Sequence, residues 1–272
     1  MSHFLTKDMI VDFIPNPSLR RLYVTSQIVR NIISKICTFF AICYKTLYST
    51  FKKDSEHVKI GIIGLGHIGS TILAELIKYR PVPIQNLLVS TRCPERHQEY
   101  LDLGVQVFWD NEKLATECDF IILSCLPHQL ETVTTNIRGA LASKSEGIFN
   151  FTEEDRNPNT MIFSVVSGTP QLKLIQMVEN YPFITRLNLD IDMINITIDH
   201  TNEDEQPLNN CLDLLHELIE SSISYPEVLQ VFNLAFKGQE EICKEIQDFF
   251  YSSYQKPADR IKELLASFKI QE

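Results

Sequence analysis

Three glycines spaced G-x-G-x-x-G are the clearest sign of chemistry in this chain. They lie in the run KIGIIGLGHIGS, which begins at residue 59. In this spacing the first glycine permits a tight turn, the second lets a diphosphate approach the main chain, and the third lets a helix pack closely on its strand. The helix that follows would direct its unpaired N–H groups at the anion. The spacing therefore predicts a dinucleotide site, whose turn consists of Gly64, Leu65, Gly66, His67, Ile68 and Gly69.

The residues on either side of the glycines have the patterns that such a site needs. Residues 58–64 are mostly β-branched and uncharged, which is typical of a strand buried on both faces. Residues 70–79 place Ile72 and Leu76 at helical spacing. A strand before the glycines and a helix after them make the motif more specific, and a turn that holds no ligand is the alternative. His67 is interpreted as a solvent-facing side chain rather than a catalyst.

The end of the next predicted strand distinguishes two cofactors. An NAD site would offer Asp or Glu about 20 residues after the glycines, to bind the ribose hydroxyls. This chain offers Ser90, Thr91 and Arg92 instead. Two hydroxyls and a guanidinium suit a 2′-phosphate, so the sequence predicts NADP rather than NAD. The alternative is that Arg92 is a solvated loop cation with no ligand.

Buried runs continue to alternate with helical patterns further along the chain. Apolar runs at residues 105–111, 118–127 and 161–168 are each followed by an amphipathic or helical stretch. This alternation predicts an α/β protein with a doubly wound parallel sheet of the Rossmann type. Residues 143–160 are loop-like and suggest a surface insertion. We expect a cofactor domain at residues 56–200 and a short C-terminal helical segment at residues 201–272, where Pro226 and Pro257 suit helix starts.

Residues 1–55 form a basic leader ahead of this domain. They predict an amphipathic helix with an apolar stripe of Val29, Ile32, Ile33, Ile36, Phe40, Cys43, Leu47 and Phe51. The cations Arg30, Lys35, Lys45 and Lys52 are predicted on the opposite side. The favoured interpretation is that the stripe docks on the protein itself, and contact with an anionic membrane is the less favoured alternative. The longest uncharged stretch in the helix is too short to span a bilayer.

Composition excludes some partners and suggests a compartment. The chain has 272 residues, 44% of them hydrophobic, and a net charge of −10, which argues against a nucleic-acid partner. Residues 1–53 carry +6, so the remainder carries −16. The seven cysteines are an odd number without paired metal spacing, which indicates reduced thiols, no metal site and a cytoplasmic location. The sequence does not fix the oligomeric state.

Over residues 58–190 the sequence resembles the cofactor domain of pyrroline-5-carboxylate reductases, and within that family a divergent NADP-dependent oxidoreductase branch. The matching segments, in order, are IGIIGLGHIGS, STR, LGVQVFWDN, CDFIILSCLPHQ and IFSVVSG. The resemblance implies a Rossmann domain, a preference for NADP(H) and reduction of a small imine or carbonyl, including the cyclic imine that yields proline.

The resemblance also implies roles for individual residues. Ser90, Thr91 and Arg92 would hold the adenosine phosphate, and Asn111 would lie near the adenine ribose. Pro127 would lie along the nicotinamide edge, and Gly168 matches the glycine after the fifth strand. The nicotinamide would sit at the end of the fourth strand, beside Ser124, Cys125, Leu126, Pro127 and His128. His128 is a candidate proton donor, with a structural role as the alternative; no catalytic residue can be named from the sequence.

Two departures from the family bear on activity. Leu126 stands where the family has a lysine just before the proline, so the cation is absent. The segment TRLNLDIDMIN keeps Arg186 but neither of the family's prolines, and the family's Gly-Ser-Gly-Pro turn is not found. We therefore carry three hypotheses: an NADPH-dependent reductase of a small substrate, a catalytically silent dinucleotide-binding or interaction protein, and, more weakly, a scaffold recruited by its leader helix.

Overall fold

The part of the chain that the structure describes is a six-stranded sheet flanked by helices, seen in a computed structural model. The described residues are 16–52, 57–146 and 160–187, together with residues 231 and 235. The strands are β1 (Ile60–Ile63), β2 (Leu87–Ser90), β3 (Gln106–Phe108), β4 (Phe120–Leu123), β5 (Met161–Ser164) and β6 (Ile184–Arg186). The α-helices are α1 (Pro17–Lys52), α2 (His67–Tyr79), α3 (Gln98–Asp102), α4 (Asn111–Glu117), α5 (Leu130–Glu146) and α6 (Gln171–Met177).

The strand order is β3-β2-β1-β4-β5-β6, and every neighbouring pair is parallel. This is the order of the doubly wound Rossmann fold, so the predicted fold class is confirmed. The order reverses between β1 and β4. Ligands of such sheets bind outside the carboxyl ends of the strands at this reversal, and we call that region the crevice.

The strands are shorter than the apolar runs that predicted them. The run at residues 161–168 contributes only Met161–Ser164 to the ladder, although Val165 and Val166 remain buried beyond it. The run at residues 118–127 likewise contributes only Phe120–Leu123. Burial therefore continues past the last ladder residue at the carboxyl edge, and an apolar run alone overestimates the length of such a strand.

Alternate strand residues define which helices cover each face of the sheet. A Cβ at Gly61 would lie 2.6 Å from Leu114 Cδ2 and 2.8 Å from Cys118 Sγ, so α4 covers the face to which residue 61 points. Ile60, Phe120 and their register neighbours point to the other face. That second face is covered by α1 and α2.

The leader helix α1 packs on the sheet, as the favoured interpretation expected. The ring of Phe40 lies 4.9 Å from that of Phe163 in β5, and the ring of Tyr44 lies 5.5 Å from that of Phe120 in β4. Of the predicted stripe, the buried members are Ile32, Ile33, Ile36, Phe40, Cys43 and Leu47. Val29 is partly buried, and the side chain of Phe51 lies outside the described residues.

The buried surface of α1 extends beyond the predicted apolar stripe. Ser34, Thr38 and Ala41 are also buried, and the two hydroxyls donate to backbone oxygens of the same helix. Of the cations predicted on the opposite side, Arg30, Lys35 and Lys45 are half-buried, and Lys35 Nζ lies 3.8 Å from a carboxylate oxygen of Glu75 in α2. The described helices include none that is long and apolar enough to cross a membrane.

The start of α1 is earlier than the periodicity indicated. The helix begins at Pro17, where a proline lacks an N–H that the first turn would leave unpaired. Asn16 Oδ1 accepts from the backbone N–H of Ser18 at 2.9 Å, as an N-cap does. The Asn-Pro pair is a start signal that the search for apolar spacing missed.

A cluster of partly buried polar groups lies at the amino edge of the sheet, opposite the crevice. The Asp119 carboxylate accepts from the Lys59 backbone N–H at 2.9 Å. The ammonium of Lys144 donates to Cys118 O at 2.7 Å and to Thr160 Oγ1 at 2.8 Å. Burial raises the pKa of Asp119, against the smaller opposing effects of the Lys59 N–H bond and the Lys144 charge.

We expect this raised pKa to make stability depend on pH. Because the folded Asp119 binds a proton more readily than the unfolded one, its contribution is most favourable at acid pH and is lost as pH rises through its folded pKa. The stability of Asp119→Asn relative to that of the wild type should therefore increase as the pH is raised from about 4 to about 7. Urea unfolding at both values measures the change, with Glu95→Gln on the exposed 3₁₀ turn Pro94–Arg96 as the control. A gap between Asp119→Asn and wild type that is constant with pH would contradict it.

Two expectations fall largely outside the described residues. The C-terminal helical segment is represented only by Val231 and Ala235, which are helical and buried. Most of the expected insertion at residues 143–160 also lies outside, although α5 continues to Glu146 and covers its start.

Candidate dinucleotide-binding site

The turn at residues 64–69, which we call the glycine turn, connects β1 to α2 at the carboxyl edge of the sheet. Gly64 has φ of 99°, a left-handed conformation that favours glycine. Its N–H donates to Ser90 O at 2.9 Å, which ties the turn to the end of β2. A Cβ at Gly64 would also lie 2.9 Å from Cys125 N, so both the backbone angle and the space require glycine here.

Gly69, in the first turn of α2, lies against the backbone of Gly64. A Cβ there would lie 2.0 Å from Gly64 O, a distance that no side chain can occupy. Ser124, just after β4, completes this contact: its hydroxyl donates to Gly64 O at 2.7 Å and its N–H donates to Ile63 O at 2.9 Å. The ends of β1 and β4 are thereby held together under the first turn of α2.

Gly66 faces open space at the N-terminus of α2. Nothing lies within 4 Å of a Cβ built on this residue. Gly66 is the N-cap of α2, no side chain caps the helix, and its first turn holds no acidic residue. The unpaired N–H groups and the positive end of the helix dipole are thus available to an anion. This arrangement fits the diphosphate of a dinucleotide.

The other residues of the glycine turn differ in exposure. His67 is exposed, as the sequence indicated, and Ile68 is half-buried. The side chain of Leu65 is buried, with 8% exposed. Leu65 can therefore meet a ligand only through its main chain.

The end of β2 brings two predicted residues together. The Ser90 hydroxyl donates to Asn111 Oδ1 at 2.7 Å. Ser90 is buried, so its hydroxyl positions Asn111 instead of facing solvent. Thr91 and Arg92 follow at the crevice: the N–H of Thr91 donates to Phe108 O at 2.9 Å, and Arg92 is exposed. We call Ser90, Thr91 and Arg92 the basic turn.

The residues after β4 form the opposite end of the crevice. Cys125 is buried, and burial raises the pKa of its thiol to about 11, so the thiol is neutral at physiological pH. Leu126 is 54% exposed, and Pro127 and His128 are exposed on the 3₁₀ turn that follows. Gln129 holds this turn, because its Oε1 accepts from the Leu126 N–H at 3.2 Å.

Gly168 lies after β5 on the same edge, exposed and with φ of 75°. We call residues 124–129 the β4 turn and the segment with Gly168 the β5 turn. The described structure thus gathers every predicted site residue at the carboxyl edge, in the order Asn111, basic turn, glycine turn, β4 turn and β5 turn. Because the strand order fixes the spatial order of these turns, an extended ligand could run along the carboxyl edge of the sheet from Arg92 to Leu126.

Two residues at the crevice were missed by sequence reasoning. Trp109 follows β3 and is 72% exposed. Gln129 has a buried Nε2 with no hydrogen-bond partner in the described part of the chain. The exposure of Trp109 follows from its position just past a strand end, which the broad prediction for residues 105–111 did not resolve.

The chemistry available at this edge is anion binding and positioning. It offers uncapped N–H groups at the glycine turn and a guanidinium at the basic turn. The β4 turn offers an exposed apolar side chain at Leu126 and an exposed imidazole at His128. Taken together, the fold and the edge define a Rossmann-type domain whose carboxyl edge presents an uncapped helix N-terminus and an exposed guanidinium.

Comparison with known proteins gives the same class. Residues 59–145 match the family model described as NADP oxidoreductase coenzyme F420-dependent. The NADP-dependent oxidoreductase domain-containing protein 1 of Mus musculus is 33% identical over 121 residues, which are 44% of this chain and 29% of that protein. The pyrroline-5-carboxylate reductase of Methanosarcina acetivorans is 31% identical over 116 residues, 42% of this chain and 37% of that protein.

The matches confirm the resemblance to pyrroline-5-carboxylate reductases over the cofactor half of the chain. The matched segment spans about a third of the length of these curated relatives. Among solved structures, the Plasmodium falciparum pyrroline carboxylate reductase with NADP bound covers 78% of this chain and 76% of its own, with 16% identity and a TM-score of 0.40.

Proposed function

We propose that this chain binds NADP(H) and acts as a reductase of a small imine or carbonyl substrate, with 1-pyrroline-5-carboxylate as the first candidate. The observation that carries the proposal is the uncapped N-terminus of α2 behind Gly66, next to the basic turn. The family resemblance supports the reaction class. The bound cofactor would supply the hydride, while the protein holds the diphosphate, fixes the position of the nicotinamide and excludes water.

Preference for NADPH over NADH depends on Arg92 in this proposal. Arg92 is exposed at the end of β2, where the 2′ position of the adenosine ribose would lie. The last residue of β2 and the two that follow it are Ser90, Thr91 and Arg92, and none of the three is acidic. A carboxylate at this place would favour the ribose hydroxyls of NAD and repel the extra phosphate.

Arg92→Ala is expected to remove most of the preference for NADPH. Loss of a charge-assisted contact to phosphate costs about 1.5–3 kcal/mol, which is about 10- to 150-fold in affinity. Affinity for NADH should hardly change, because NADH lacks the 2′-phosphate. Calorimetric titration of both cofactors measures the ratio, and Arg96→Ala, an exposed arginine in the next turn, is the matched control. Equal affinities of the wild-type chain for the two cofactors would refute this assignment.

A catalytically silent dinucleotide-binding protein is the second candidate. Leu126 favours it: an exposed leucine lies where the family has a lysine, so the β4 turn brings no cation to the nicotinamide edge. The same turn carries the exposed imidazole of His128. Both candidates require the cofactor, so binding alone does not separate them.

Turnover separates the two candidates. The purified full chain is mixed with NADPH and 1-pyrroline-5-carboxylate, and absorbance at 340 nm is followed. A decrease that depends on both substrate and protein supports the reductase. No decrease, in a preparation whose NADPH binding has been confirmed by calorimetry, favours the silent protein.

The remaining parts of the proposal concern partners and location. A small molecule is the proposed ligand beside the cofactor, and nucleic acid is not a proposed partner. The docking of α1 on the sheet supports a structural role for the leader. The buried thiols of Cys37, Cys43 and Cys118 support a reducing compartment, and the proposal includes the cytoplasm.

A further inference from the structure

Trp109 stands out among the described side chains by its exposure. It is the single tryptophan of the chain, and 72% of it is exposed. No other large apolar side chain in the described ranges is exposed to the same extent. Because exposed aromatic surface is unfavourable in water, its position relative to the crevice indicates what it could contact.

The backbone around Trp109 is held on both sides. Phe108 O, just before it, accepts from the Thr91 N–H at 2.9 Å. Asp110, just after it, caps α4: its carboxylate accepts from the Lys113 N–H at 2.8 Å. Trp109 is therefore presented from a fixed position between a strand end and a capped helix.

The register places Trp109 beside the basic turn. Ser90 is the partner of Phe108 in the parallel pair of β2 and β3. One step further along each chain, Thr91 lies opposite Trp109 at the carboxyl edge, and Arg92 follows Thr91 in the chain. Two neighbouring strand ends at this side of the carboxyl edge therefore carry an exposed indole and an exposed guanidinium, where the basic turn would hold the adenosine phosphate.

We propose that Trp109 forms one wall of the adenine pocket, against which the base of the dinucleotide stacks. This inference rests on the proposed function, since it assigns a residue of the same cofactor site. An indole offers a flat apolar face to any purine and does not read the 2′ substituent. Trp109 therefore sets affinity for the adenosine half, whereas Arg92 sets the choice between NADPH and NADH.

The test compares cofactors and fragments on the full chain. Trp109→Ala is expected to lower the affinities for NADPH, NADH and adenosine 2′,5′-bisphosphate by about tenfold each, a loss typical of base–aromatic stacking. Trp109→Phe, which keeps a ring, should lose less. The NADPH/NADH ratio should stay unchanged in both variants, unlike in Arg92→Ala. Leu103→Ala, which removes another exposed apolar side chain at 53% exposure, is the matched control.

Tryptophan fluorescence, excited at wavelengths that tyrosine does not absorb, gives an independent measurement because Trp109 is the single tryptophan of the chain. Adenosine 2′,5′-bisphosphate should quench the emission, and nicotinamide mononucleotide should not. Affinities of Trp109→Ala within twofold of wild type, or equal quenching by the two fragments, would overturn the inference while leaving the cofactor site intact. If calorimetry shows no NADPH binding to the wild-type chain, the proposed function fails and this inference fails with it.

Discussion

Gly66→Ala is expected to lower affinity for NADPH by at least about 100-fold while leaving the fold as stable as the wild type. Gly66 has φ of −83° and ψ of −163°, which alanine adopts without strain, and its Cβ would meet no atom within 4 Å. The added methyl would stand where the diphosphate approaches the helix N-terminus. Loss of two charge-assisted N–H contacts, each of about 1.5–3 kcal/mol, accounts for the factor.

The control for this substitution is Gly139→Ala. Gly139 lies in α5, and a Cβ built on it also meets nothing within 4 Å. This variant should bind NADPH as the wild type does, and it should be slightly more stable because alanine favours a helix interior. Thermal unfolding and calorimetric titration of both variants give the comparison. Unchanged NADPH affinity in Gly66→Ala would mean that the diphosphate does not lie on this turn.

Phe40→Ala should lower the free energy of unfolding by about 3–5 kcal/mol, the usual cost of deleting a buried phenylalanine. Phe40 is fully buried, and its ring lies 4.9 Å from that of Phe163 in β5. The substitution opens a cavity between α1 and β5, so it tests whether the leader belongs to the folded core.

Leu19→Ala on the same helix is the control, since Leu19 is 55% exposed and its loss should change stability by less than about 0.5 kcal/mol. Urea unfolding of the full chain measures both. If Phe40→Ala costs no more than Leu19→Ala, the leader does not dock as described, and an anionic membrane again becomes a candidate for its apolar stripe.

The glycine turn and the doubly wound parallel sheet could be predicted from the sequence because their signals are local. Gly64 and Gly69 are required by a backbone angle and by a close approach within a few residues of each other. Alternating apolar runs and helices then leave few topologies for a parallel sheet. The apolar stripe of α1 was equally local, and its docking followed from the cost of leaving it in water.

Features that depend on strand register could not be predicted in the same way. The hydrogen bond between Ser90 and Asn111 joins residues 21 positions apart, and it exists because β2 and α4 meet on one face of the sheet. The sequence alone does not show this neighbour, so it suggested that the Ser90 hydroxyl faces a phosphate. In the structure Ser90 is buried and its hydroxyl contacts Asn111 instead. The exposure of Trp109 and the cluster around Asp119 also depend on neighbours that are distant in the chain.

The most direct test of the account is hydrogen–deuterium exchange of the full chain with and without saturating NADPH. The account predicts slower exchange of the backbone amides at residues 65–70, where α2 begins, with a smaller effect at Thr91 and Arg92. NADH should protect the first segment and not the second. Protection confined to other segments, or none at saturating NADPH, would contradict the claim that the first turn of α2 holds a dinucleotide.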